Sequence, residues 1–155
     1  MLLRQFSPPE FVRYLARDPA LATAMDLTAL WFDPELIDAW KHQDRTPADT
    51  PPFLLPQLCS VDGQGIGTIG IKEPAGTMVL IGYGISPHHR TRGHATKAVA
   101  LLLDWLAREH PEFKTVRAHV DGGNVASQRV LEKNGFRLIA DNPTWNIRTY
   151  DHRRN

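Results

Sequence analysis

The segment 77–109, TMVLIGYGISPHHRTRGHATKAVALLLDWLARE, constrains the fold more than any other stretch of the chain. Its first ten residues read as a strand that is apolar on both faces, and such a strand belongs in the middle of a sheet. Gly82 and Gly84 stand two apart and so share one face. Glycines inside a strand mark a bulge or the close approach of another backbone or ligand. Pro87 then prevents regular pairing from continuing. Residues 93–109 form a helix, because Ala95, Ala98, Val99, Leu102, Trp105 and Leu106 recur at three- and four-residue steps while Lys97, Asp104 and Arg108 lie elsewhere on the wheel. Pro111 ends it.

The loop between these elements, Arg90-Thr91-Arg92-Gly93-His94-Ala95, delivers successive N–H groups at a helix N-terminus. Such a terminus carries about half a positive charge and four unpaired donors, which suits a pyrophosphate. Gly93 and Ala95 keep side chains out of the way, and Arg90 and Arg92 add charge-assisted bonds. No Gly-Lys-Ser/Thr follows, so this is not a Walker loop, and the dinucleotide fingerprint Gly-x-Gly-x-x-Gly is absent. The competing reading is a strand-to-helix connection with solvated arginines.

Upstream, residues 8–16 read as a short helix behind Pro8-Pro9, and helical character continues from Leu21 to Trp40. Trp31 and Trp40 are either pocket-lining or half-buried core aromatics. Residues 45–52 form a proline-punctuated loop, the segment best suited to be flexible. Residues 53–61 and 66–72 read as a hairpin closed by the turn 62–65, and a second turn, 73–76, leads into the central strand. Downstream come a strand at 114–120, a helix from Asn124 that stops at Gly135, and two final strands joined by an Asp-Asn-Pro turn. The order predicts an α/β (α+β) fold, a mixed and mostly antiparallel sheet flanked by helices.

With 155 residues the chain is expected to be one domain, in which residues 1–52 form a helical region and 53–150 the core. Lys and Arg number 18 against 17 Asp and Glu, and this balance excludes a broad basic nucleic-acid surface. Cys59 is the only cysteine, so no intrachain disulfide or thiolate metal cluster forms, and an apolar setting makes it a core residue. His88, His89 and His94 cannot easily converge on one ion, and no metal is expected. No membrane span and no signal-peptide core is present, so a cytoplasmic location is expected.

The pattern Arg90-x-x-Gly93-x-Ala95, preceded by IGYGISP, resembles the acetyl-CoA-binding motif of the GNAT superfamily of N-acetyltransferases. A second block, NVASQRVLEKNGF (124–136), is similar to the segment with which the ribosomal-protein N-acetyltransferase branch closes its cofactor site. The resemblance covers roughly residues 53–150. It implies an acetyl-CoA co-substrate, a sheet that splays at the acyl-CoA site, and a primary amine acceptor, either a protein N-terminus or a small molecule. Backbone groups of Gly84, Ile85 and Ser86 would pair with the pantetheine arm. Arg90, Arg92, Gly93, His94 and Ala95 would hold the pyrophosphate, and Lys133 would reach the adenosine end. Asn124 would bond the pantetheine, and Ser127 would face the thioester sulfur. Without any ligand, Asn124 is already a favoured N-cap, and Ser127 can bond back to a carbonyl. Homodimers are common in this family.

Two departures from the family pattern bear on chemistry. Many relatives carry a Tyr seven residues after the Asn to protonate the leaving sulfur, where this chain has Leu131. Relatives often read Glu-Ile-Gly-Tyr on the central strand, where this chain reads Leu80-Ile81-Gly82-Tyr83 and lacks the carboxylate. A lysine amine of ordinary pKa is neutral to only about 4 parts in 10,000 at pH 7, whereas an α-amine is neutral to about 10–20 %. An amine of low pKa is thus the easier substrate. His119, Glu73 and Asp121, and more remotely His88, are candidate bases, with His119 favoured by its ordinary pKa. Asp33, Glu35, Asp38 and Asp44 are acids that either attract a cationic amine or are merely solvated. The same departures leave open an acyl-CoA-binding sensor without turnover. A phosphate-binding module unrelated to acyl transfer is a third reading, against which the second motif argues.

Overall fold

The computed structural model describes residues 1–154. Proline and a capping side chain start each of the first three helices. α1 (Pro8–Leu15) opens on Ser7, whose hydroxyl accepts the Glu10 amide while the Glu10 carboxylate accepts the Ser7 amide. Asp18 caps α2 (Pro19–Ala24) by accepting the Ala20 amide, and Asp33 caps α3 (Pro34–Lys41) by accepting the Glu35 and Leu36 amides. The continuous helical character expected over 21–40 is therefore two helices. Between them lie a 3-10 turn at Thr28–Leu30 and left-handed backbone at Asp26, Ala29 and Leu30. Pro34 tolerates only a helix start, so α3 cannot be a continuation of α2.

The sheet contains β1 (Leu2–Gln5), β2 (Gln57–Val61), β3 (Gln64–Ala75), β4 (Met78–Ile85), β5 (Thr115–Asp121), β6 (Arg137–Asn142) and β7 (Ile147–Arg153). Across the sheet their order is β1-β2-β3-β4-β5-β7-β6. β4 is central, as its two apolar faces require. The strand expected from residue 53 starts only at Gln57, because Pro51, Pro52 and Pro56 break the approach and a 3-10 turn forms at Pro52–Leu54. β3 runs past the turn expected at 73–76, since a bulge between Ile71 and Glu73 absorbs the irregularity and carries pairing to Ala75↔Met78. The edge strand β1, which pairs antiparallel with β2, was not foreseen. The loop 45–52 is pinned: Pro47 and Thr50 are buried, and the Thr50 hydroxyl donates to the Thr46 carbonyl at 2.7 Å.

α4 (His94–Glu109) and α5 (Val125–Lys133) cover one face of the sheet. Ala98, Val99, Leu102 and Leu106 of α4 are fully buried against Ile66, Ile69, Val79, Ile81 and Val116 of the strands. Leu131 and Phe136 join this core. A second core, of Phe6, Phe11, Tyr14, Ile37 and Trp40, lies on the other face and holds α1–α3. β2 divides its side chains between the two, Cys59 in the first cluster and Leu58 in the second.

Among the described residues β4 and β5 are the one pair of strands that run parallel, and they pair only over Met78↔Thr115, Val79↔Val116 and Leu80↔Arg117. Beyond that point β4 stays with β3 as far as Gly67↔Ile85, and β5 stays with β7 as far as Asp121↔Ile147. The sheet therefore splits along its middle, with a strand edge on each side of the gap.

Within the N-terminal layer a buried bond holds α1 to the start of α3. The Asp33 amide donates to the Tyr14 hydroxyl at 2.7 Å. Tyr14→Phe leaves that amide unpaired inside the protein and is expected to lower the unfolding free energy by about 1–3 kcal/mol, read from urea denaturation.

Candidate active site

Two cavities open on the gap from opposite faces. The larger, about 720 Å³, runs along the starts of α4 and α5 and is lined by Gly84, Ile85, Gly93, His94 and Ala95 among others. The smaller, about 220 Å³, lies under α3 and is walled by Trp40, Ile71, Lys72, Ile81 and His119. Five residues belong to both walls: Asp33, Glu35, Tyr83, Asn124 and Ser127.

At the mouth of the larger cavity, Gly93 is the N-cap of α4 with φ 80°, a left-handed conformation that strains any residue with a side chain. Thr91 is also left-handed, at φ 64°. Backbone that turns this way just before a helix gathers N–H groups into a concave anion site. Arg90 is half committed to the loop, since its Nε donates to the Ile85 carbonyl at 2.9 Å. Arg129, His89 and Lys133 line the same cavity. The donor set of helix amides, guanidinium and ammonium groups fits a pyrophosphate-bearing ligand.

Two expected cofactor contacts, Ser86 and Arg92, are not among the residues lining the larger cavity. Ser86 is fully buried, its amide donates to the Ile66 carbonyl at 2.7 Å, and its carbonyl accepts from His89 at 2.9 Å. It fastens the end of β4. Arg92 does not line the cavity, and Arg129 of α5 stands there instead. Arg129 carried no signal of its own, because only the packing of α5 on α4 brings it to that wall.

Asn124 and Ser127 sit at the start of α5. Asn124 Oδ1 accepts the Ser127 amide at 3.1 Å, so the capping role is real, and its Nδ2 remains a donor on the wall shared by both cavities. Ser127 does not bond back to a carbonyl. Its Oγ lies 2.6 Å from the hydroxyl of Tyr83, which reaches across from β4. Burial raises the Tyr83 phenol above its ordinary pKa, partly offset by the bond to Ser127, so the ring is protonated at neutral pH. Tyr83 was missed as a site residue. The Gly82-Tyr83-Gly84 sequence, a lone aromatic between two glycines, was the available signal.

Of the candidate bases, His119 and Asp121 line the smaller cavity, whereas Glu73 and His88 do not. The His119 Nδ1 lies 2.9 Å from the Thr149 hydroxyl, which orients the ring. Burial first, then the charges of Arg117 and Lys72, hold the imidazole below its ordinary pKa of 6.5. It is therefore neutral at pH 7. Asp121 Oδ1 accepts the Gly123 amide at 2.8 Å and shapes the β5–α5 turn. Trp31 lines the larger cavity and Trp40 the smaller.

A family model described as an acetyltransferase (GNAT) domain matches residues 1–137. The uncharacterized N-acetyltransferase YjdG of Bacillus subtilis is 37% identical over 75 residues, which is 48% of this chain and 43% of that protein. The chain thus aligns with less than half the length of that curated relative. Among solved structures, a domain from Methanocaldococcus jannaschii superposes with a TM-score of 0.66 at 15% identity, covering 99% of this chain and 97% of that one. Mycobacterium smegmatis RimJ in complex with CoA-disulfide superposes at 0.63 with 18% identity, covering 97% and 80%. These likenesses share the split sheet's fold.

Leu131, where many relatives carry a tyrosine, is 0 % exposed in the core beneath α5. A ring placed there overpacks that core. Leu131→Tyr is expected to lower the unfolding free energy by about 1–3 kcal/mol in urea denaturation, without raising acetyl transfer.

Proposed function

The chain belongs to the acetyltransferase (GNAT) domain family, and from that premise we propose that it transfers an acetyl group from acetyl-CoA to a primary amine by direct attack. The observation that carries this reading is the meeting of two cavities at a wall that holds Ser127, Tyr83 and Asn124. One cavity has the donors for a pyrophosphate, and the other has a neutral, oriented imidazole. A single-ligand binding module needs only the first. The acceptor is a small-molecule amine or a protein N-terminus.

Acetyl-CoA supplies an activated thioester carbonyl. Gly93, His94 and Ala95 bind the pyrophosphate through the start of α4, assisted by Arg90 and Arg129, with Lys133 toward the adenosine end. Asn124 Nδ2 bonds the pantetheine arm, and the edge of β4 beside Gly84, at Ile85, offers it backbone partners. Backbone N–H groups aimed at a developing oxyanion stabilise it without reorganising. His119 takes one proton from the incoming ammonium. As the C–N bond forms and the C–S bond breaks, the nitrogen loses a second proton to solvent. Ser127 gives a proton to the leaving thiolate, Tyr83 restores it through their short hydrogen bond, and the proton held by His119 returns through solvent to Tyr83. One proton is released overall. The phenol is a stronger acid than an aliphatic hydroxyl, although burial holds it above its ordinary value.

Two experiments test the reading. Calorimetric titration should find micromolar acetyl-CoA binding to the wild type and none to Gly93→Glu, whose carboxylate blocks the cradle by bulk and by charge. A folded wild type that binds no acetyl-CoA contradicts the assignment. The lowered pKa of His119 fixes the acid limb of activity. As pH falls through that value the ring gains a proton and ceases to be a base, so kcat/KM should fall with a midpoint below the ordinary 6.5. His119→Gln should abolish this limb. An unchanged profile in that variant excludes His119 as the base.

A further inference from the structure

Asp33 is a buried carboxylate placed where the two cavities meet. It is only 5 % exposed, yet it belongs to both walls. Four hydrogen bonds immobilise it. Its amide donates to the Tyr14 hydroxyl, its Oδ1 accepts the Glu35 and Leu36 amides at 3.1 and 3.2 Å, and its Oδ2 accepts the Thr68 hydroxyl at 3.1 Å. Thr68 faces Gly84 across the β3–β4 ladder. A Cβ on Gly84 would collide with Asp33 Oδ2, so the missing side chain is what lets the carboxylate rest on β4 beside the gap.

Capping explains only part of this arrangement. The cap uses Oδ1, and a serine or threonine could supply it. Oδ2 needs no negative charge to accept one hydroxyl. Buried carboxylates are ordinarily paired with a cation, because neutral donors offset their desolvation only in part. Among the described residues no Lys, Arg or His forms an ion pair with Asp33. The one lysine of the smaller cavity, Lys72, instead lays its aliphatic stem over Gly82.

We propose that Asp33 receives the acceptor as an ammonium ion, so that the smaller cavity selects cationic primary amines over neutral nucleophiles of the same shape. The inference rests on the acetyltransferase reading and names the charge state its acceptor must have on arrival. Asp33 holds the cation at the wall it shares with Ser127 and Tyr83. His119, in the lining of the same cavity, then takes the proton. A carboxylate is too weak a base to do this from an ammonium, and binding and deprotonation thus fall to different residues.

The test is direct binding to wild type and Asp33→Asn, with and without CoA. The probes are 2-phenylethylamine and glycinamide, each against the corresponding alcohol. Asparagine preserves the cap and the shape and removes the charge. The wild type should bind each amine roughly 10- to 100-fold more tightly than its alcohol. Asp33→Asn should lose that preference while its acetyl-CoA affinity and melting temperature stay unchanged. A purely structural role would weaken amine and alcohol alike and lower the melting temperature. The proposal is overturned if the wild type shows no preference for the amines, or if Asp33→Asn retains it. The first comparison needs no variant, so a poorly folding mutant leaves it decisive. Acetyl-CoA titrated into the same samples reports separately on the cofactor site: its failure to bind would sink the acetyltransferase reading and leave the amine preference to be read on its own.

Discussion

The parting of β4 from β5 after Leu80 and Arg117 is the constraint on which the rest of the molecule depends. Each strand is held on its outer side, β4 by β3 and β5 by β7, so neither can swing back to close the gap. Backbone donors and acceptors along the two inner edges are then left without ladder partners, and such groups must find others. A ligand with amide groups of its own satisfies them as a strand would. The gap also pierces the sheet, and this allows two molecules to meet while arriving from opposite faces.

That geometry divides labour between the layers. The α4–α5 face carries helix starts, glycine and cations, the equipment for an anion. The α1–α3 face carries a fixed carboxylate and an aromatic wall, and the neutral imidazole of His119 on β5 lines the same cavity. Tyr83 and Ser127 join hands across the opening, 2.6 Å apart, one from β4 and one from α5. The helical position where many relatives carry a tyrosine is filled by Leu131, which the core needs. That departure from the family pattern thereby acquires a structural explanation.

Much of this was legible before any coordinates. Glycines in an apolar strand, Pro87 and a helix opening on Gly93 gave the central unit its form, and the spacing of Asn124, Ser127 and Gly135 gave α5. Local patterns carry such information because caps, turns and periodicity act over a few residues. What stayed hidden is non-local. β1 is four residues long and has no alternation to announce it, so its pairing with β2 is a tertiary fact. Ser86 and Arg92 match the motif by position, and neither lines the larger cavity. Asp33 read as one acid among several, because only folding against Thr68 and Gly84 makes it a buried, immobilised charge. The proline breaks at 51, 52 and 56 were visible, but their effect on the start of β2 was underestimated.

The central claim is positional: the thioester lies in the gap between β4 and β5, with its sulfur at Ser127. A crystal structure of the acetyl-CoA complex measures this directly. The account predicts the pantetheine arm between the two strand edges and the cofactor sulfur in contact with Ser127 Oγ, with the Tyr83 hydroxyl behind it. A pantetheine arm lying outside the gap, or a sulfur more than a water's diameter from both hydroxyls, would contradict it.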